Sequence, residues 1–132
     1  MRVFKFGGAS VKDAEAVKNV ANILQNYKSE QLVIVVSAMG KMTNALERVV
    51  DAYYQKTGEA RACLEEVKQT HYVIMSELFE PNDAVFDTIN DTLVEVEWIL
   101  EDEPEESYDY IYDQIVSIGE FLSTQIVSAY LN

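Results

Sequence analysis

Residues 1–132 predict an α/β fold, in which parallel strands joined by a crossover helix are followed by a long helical insertion. Three observations carry that prediction. The runs RVFKF (2–6) and LVIVV (32–36) are rich in the β-branched and aromatic residues that favour strands. The segment between them repeats its apolar residues at helical spacing, which makes a strand–helix–strand unit. From residue 59 to residue 131 there is helical periodicity and no strand signal. A chain of 132 residues, 48% of them hydrophobic, is the size of one ordinary domain and can bury a core.

The first strand runs straight into Gly7 and Gly8. Strand alternation puts Val3 and Lys5 on one face, Phe4 and Phe6 on the other. In VKDAEAVKNVANILQNYK, Val17, Val20, Ala21 and Leu24 form an apolar stripe, and Asp13 stands near the helix start. LVIVV is apolar at every position, which predicts a strand buried on both faces, as in a parallel sheet covered by helices. The loop SAMGKMTN (37–44) follows, with Asn44 read as the N-cap of a helix over about 45–55 that carries Leu46, Val49, Val50 and Tyr53. Lys56, Thr57 and Gly58 end it.

Three more helical stretches are predicted at about 59–80, 83–102 and 106–131, separated by Pro81 and Pro104. Asn82 and Asp83 supply a new N-cap, and EDEPEES is an acidic connector. The first two stretches are expected to form an antiparallel hairpin beside the sheet, since their connection is short. Two strands make a poor complete sheet. The expectation is therefore a piece of a larger α/β domain.

Acidic residues outnumber basic ones 23 to 10, for a formal charge of −13, which disfavours nucleic acid and anionic membranes as partners. Much of this charge lies between Glu95 and Asp113, where it reads as a solvated face. Cys63 is the single cysteine, so no internal disulfide can form; a reducing, cytoplasmic setting is expected and the thiol reads as a small buried apolar group. His71 has no second histidine or cysteine at ligand spacing, so no protein-bound metal site is expected. No stretch approaches the roughly 20 apolar residues of a membrane span.

Three stretches could carry chemistry. In KFGGAS (5–10) a lysine at the carboxyl end of a buried strand meets two glycines, a turn that aims backbone N–H groups into the crevice where α/β proteins bind ligands. Taken alone, it is also compatible with an ordinary turn, and it is neither a Walker loop nor a dinucleotide fingerprint. The loop after the second strand offers the hydroxyls of Ser37 and Thr43 and the cation of Lys41 at the same sheet edge. In SIGEFLSTQ (117–125) Gly119 interrupts a helical pattern at a cost of up to about 1 kcal/mol, which suggests a close approach, and Glu120 follows at once. Glu120 is either a surface acid or a group turned to the pocket, where it could meet a substrate ammonium or Lys5.

Taken together, KFGGASV, VVSAMGKMTN and SIGEFLSTQIVSAYL resemble the aspartokinase family, within the wider amino-acid kinase fold. The resemblance implies the N-terminal part of a three-layer α/β/α kinase domain, residues 1–132 being its substrate side with a helical insertion at about 59–105. The nucleotide-binding half and the ACT regulatory domains would lie outside these residues, and the segment alone is expected to be inactive. The activity implied is transfer of the ATP γ-phosphoryl group, with Mg2+, to the side-chain carboxylate of L-aspartate, the first step towards lysine, threonine and methionine. Lys5 matches the catalytic, charge-neutralising lysine. Gly7, Gly8 and Ser10 match the phosphate-holding positions, and Ser37, Thr43 and Glu120 match positions associated with aspartate. Ala9 departs from the family's usual threonine in K-F-G-G-T-S. The complete enzyme would be a homo-oligomer. The alternatives are another acylphosphate-forming kinase, acting on glutamate or N-acetylglutamate, and a non-catalytic acidic module for a basic partner.

Overall fold

Both strands form where the sequence places them. In the computed structural model, which describes residues 1–132, β1 (Arg2–Phe6) and β2 (Leu32–Val36) pair in parallel, Arg2 opposite Leu32 and Phe6 opposite Val36. The crossover helix α1 (Ala14–Leu24) starts at Asp13, whose side chain accepts the Ala16 amide at 2.8 Å. Its Val17, Val20 and Leu24 are buried, so the predicted stripe is the packed face. Arg2 pairs with Glu30 at 2.6 Å and lies over the Tyr27 ring, tying the start of β1 to the turn that leads into β2.

The remaining helices are α2 (Met42–Tyr54), α3 (Ala60–Leu78), α4 (Val85–Glu101), α5 (Tyr108–Val116) and α6 (Ile118–Leu131). Asp83 accepts the Val85 amide at 2.9 Å at the start of α4, and Ser107 accepts the Tyr110 amide at the start of α5. The helical layer gathers against one face of the sheet, where Phe4, Phe6, Leu32, Ile34 and Val36 pack on the core. No helix is long and apolar enough to cross a membrane.

Four expectations are corrected. LVIVV is not buried on both faces: Val33 and Val35 are 43% and 45% exposed, beside Val3 at 61%, because every helix of residues 1–132 lies on the other side of the sheet. Asn44 is not an N-cap. Gly40, with φ +52°, turns the chain so tightly that Met42 already bonds back to Met39, and the helix begins two residues before Asn44. The stretch 106–131 is two helices, joined at Ser117, whose carbonyl accepts from both Glu120 and Phe121. The α3–α4 hairpin does not lie beside the sheet; α3 packs chiefly on α2 and α4 on α6, because α6 already occupies the flank of β2.

Cys63 is half-buried on α3 and packs against the core. His71, on the same helix, is fully buried; its Nδ1 lies 2.7 Å from the Val67 carbonyl and donates to it, while Nε2 has no partner. Burial holds its pKa below the ordinary value of 6.5, the Val67 bond only partly opposing this. The folded state therefore prefers neutral His71, and its contribution to stability is complete above pH 6.5 and declines as pH falls below it. Unfolding of the wild type and of His71→Leu, at pH 8 and pH 5, is expected to show an extra loss at pH 5 in the wild type of at most about 2 kcal/mol. An equal pH response in both proteins would refute this.

Candidate functional site

The level ends of the two parallel strands build one edge of the molecule. After Phe6 and Val36 the ladder continues for one bond, the Ser37 amide donating to the Phe6 carbonyl at 3.0 Å. The two loops then cross, and the Gly40 amide donates to the Gly8 carbonyl at 3.0 Å. Only glycine fits at Gly8, because a Cβ there would lie 2.9 Å from the carbonyl oxygens of both Ala38 and Gly40. Around Gly7, by contrast, no atom comes within 4 Å of an added Cβ.

Gly8–Val11 forms one short 3-10 turn, with Gly7 in extended conformation before it. The Ser10 amide bonds to the Gly7 carbonyl at 3.0 Å, whereas the Gly7 amide donates to no group of the protein. An open amide with no side chain in front of it is what an anionic oxygen requires. Ser10 and Ala9 are exposed at the same turn.

Lys5 projects from the open face of β1 with Val3, as alternation predicts, while Phe4 and Phe6 turn inward. It forms no salt bridge, and neither do Lys12 and Lys41; the ion pairs of the molecule belong to Arg2, Lys56 and Lys68. Lys12 lies against Gly40, its Cα 3.6 Å from the Cβ position of that glycine, and Lys41 immediately precedes α2. Three uncompensated cations thus stand along this edge in a protein of net charge −13. Lys12 was not among the sequence candidates; its only signal was its place after the glycine turn.

The third stretch reaches the same edge from the helical layer. A Cβ on Gly119 would lie 3.0 Å from Leu46 Cδ1 and 3.1 Å from Ala38 Cβ, so the close approach suggested by the sequence is real, and it is α6 against α2 and the loop before it. Glu120 is exposed in the first turn of α6, facing a depression of about 400 Å³ shared with Val36, Ser117, Phe121 and Thr124. It makes no salt bridge to Lys5. Ser37 is half-buried directly after β2, and Thr43 is exposed in the first turn of α2. The three stretches, far apart in sequence, are thereby linked: the first and the third each pack against the loop after β2, at Gly8 and Gly119, with Ala38 common to both contacts. No group of three or more His, Cys, Asp or Glu side chains is placed to hold a metal ion.

The profile of the amino acid kinase family matches residues 1–132. Aspartokinase 1, chloroplastic, of Arabidopsis thaliana is 38% identical over 98% of this chain and 23% of its own length. Aspartokinase 2, chloroplastic, of the same plant is 34% identical, over 98% of the chain and 24% of its own length. Among solved structures, E. coli aspartokinase III in complex with aspartate and ADP is 28% identical and superposes with a TM-score of 0.82, covering 98% of this chain and 28% of that one. The chain thus spans about a quarter of the length of these relatives.

The two adjacent glycines should respond differently to alanine. Gly8→Ala forces a methyl onto two carbonyl oxygens and is expected to cost about 1–3 kcal/mol of stability. Gly7→Ala meets nothing in the fold and should stay within about 0.5 kcal/mol of wild type. Urea denaturation of both variants checks the pair, and equal losses would contradict the geometry.

Proposed function

Because the chain belongs to the amino acid kinase family, we propose that residues 1–132 are the substrate-side part of an aspartokinase, with residues 59–105 as a helical insertion. The enzyme transfers the ATP γ-phosphoryl group to the side-chain carboxylate of L-aspartate. The observation that carries this reading is the meeting of KFGG, VSAMG and SIGE at one strand edge, in a chain similar to aspartokinases over 98% of its length. E. coli aspartokinase III binds aspartate and ADP, which supports the same pair of ligands here.

In the proposed reaction a carboxylate oxygen of aspartate attacks the γ-phosphorus, the bond to the β–γ bridging oxygen breaks, and ADP leaves with an acylphosphate as the other product. Such a transfer demands alignment and charge neutralisation more than covalent help. The Lys5 ammonium, uncompensated by any carboxylate of the protein, neutralises charge on the phosphoryl oxygens. The open Gly7 amide and the first amides of the Gly8–Val11 turn hold those oxygens, with Ser10 beside them. Ser37 and Thr43 receive the aspartate carboxylates, and Glu120 receives its ammonium. Mg2+ bound with the nucleotide would supply further charge neutralisation at the β- and γ-phosphates. The single cysteine fits a cytoplasmic setting.

Assay of the full-length protein with MgATP and a panel of L-aspartate, L-glutamate and N-acetyl-L-glutamate tests the assignment. Aspartate is expected to be the acceptor, and Lys5→Ala to lower kcat by about 10²–10³-fold, the scale of removing one transition-state donor. Gly7→Ala is expected to leave folding intact while depressing turnover, since its methyl blocks the open amide. Preference for either other acceptor, or full activity in Lys5→Ala, would sink the reading.

A further inference from the structure

One buried residue without a part in the proposed chemistry stands where the three stretches meet. Ala38 is 4% exposed. Its carbonyl oxygen lies 2.9 Å from the Cβ position at Gly8, and its own methyl lies 3.1 Å from the Cβ position at Gly119. Its backbone is held on both sides, by the Ser37 amide bonded to the Phe6 carbonyl and the Gly40 amide bonded to the Gly8 carbonyl, each at 3.0 Å. The other neighbour of Gly119, Leu46 Cδ1 at 3.0 Å, is the far end of a side chain that is fully buried but can give by a few tenths of an ångström through its torsions. Of the two surfaces facing Gly119, the Ala38 methyl is the one with no side-chain torsion through which to yield, on a backbone bonded on both sides.

We infer that Ala38 is a positioning residue: its methyl is the stop against which the first turn of α6 rests, and it sets the distance of Glu120 from the Lys5–Gly7 corner. Helix α6 carries glycine at this point although alanine is the better helix former. The glycine is explained by the stop. A methyl at position 119 would push α6 outward by a few tenths of an ångström and carry Glu120 with it, while leaving Lys5 and Gly7 on the β1 side of the clamp in place. The kinetic consequence rests on the function proposed above, but the packing relation does not.

The test is a double-mutant cycle in the full-length protein, read by thermal unfolding and by steady-state kinetics. Gly119→Ala is expected to raise KM for L-aspartate about tenfold, below the roughly 10²-fold that a 1 Å misplacement can cost. The KM for MgATP should change by less than about twofold, a split that a general loss of folded protein does not produce. Ala38→Gly combined with Gly119→Ala should recover most of the lost Tm and of the lost aspartate affinity, since the two positions couple directly. Ala38→Gly should not rescue Gly8→Ala, whose obstruction is carbonyl oxygens rather than the methyl. Should Gly119→Ala fail to fold, Ala38→Ser, which adds one atom to the stop, is expected to show the same aspartate-selective rise in KM. Absence of rescue in the cycle, or equal KM changes for both substrates, would overturn the inference. If the wild type phosphorylates no aspartate, the functional reading falls, and recovery of Tm in the double variant alone then decides for or against the stop.

Discussion

The hydrogen bond from the Gly40 amide to the Gly8 carbonyl is the constraint on which the candidate site depends. The parallel register brings Phe6 level with Val36, so both loops leave the sheet at the same height. Level strand ends alone would leave two independent loops. The bond across them, with glycine required at Gly8 by carbonyl oxygens 2.9 Å from its Cβ position and a left-handed φ of +52° at Gly40, joins them into one unit. From that unit follow the early start of α2 at Met42, the burial of Ala38 and Met39, and the surface on which α6 rests.

The helical layer supports this edge through α2, which packs against α3, α5 and α6. Tyrosines tie it to the acidic half of the chain. Tyr108 donates to Asp51 at 2.7 Å, Tyr112 to Glu47 at 2.6 Å, and Tyr53 to the Asp102 carbonyl at 2.7 Å. The Asp51 carboxylate, aided by burial and nearby acids, pushes the Tyr108 phenol up to about 12, so it remains a donor at any physiological pH. Lys56, held at φ +56°, reaches Glu103 at 2.8 Å, but both groups are largely exposed and such a pair contributes little. The negative charge is thus concentrated around the α4–α5 connector, while Lys5, Lys12 and Lys41 remain uncompensated at the strand ends. An anionic ligand would meet three unpaired cations there, in a molecule whose net charge is −13.

Much of this arrangement is legible in the residues. Five-residue strands at 2–6 and 32–36, the Asp13 cap and the helical character of 60–101 follow from local pattern, because side-chain alternation and capping are decided within a few residues. Gly119 was legible as a close approach, although not what it approached. Asn44 misled, because a capping residue type says nothing of the left-handed turn four residues earlier that starts the helix sooner. LVIVV misled for a different reason. An unbroken apolar run records what a strand is suited to face, whereas burial depends on which elements stand in front of it, and residues 1–132 place none before Val33 and Val35.

The sequence by itself determined the strand–helix–strand start and the helical run that follows it, though not the break between α5 and α6, together with the glycines at 7, 8, 40 and 119 and the residue types available at the edge, since these depend on short-range sterics and hydrogen bonding. It also carried the motif order that resembles a kinase. Only the tertiary structure decided that the three stretches touch, that Gly8 is demanded by a crossing loop while Gly7 stays open, and that Ala38 lies between Gly8 and Gly119. Those are contacts between residues about 30 and 80 positions apart, fixed by strand register and by how closely a helix can approach a loop, and no local pattern encodes either distance.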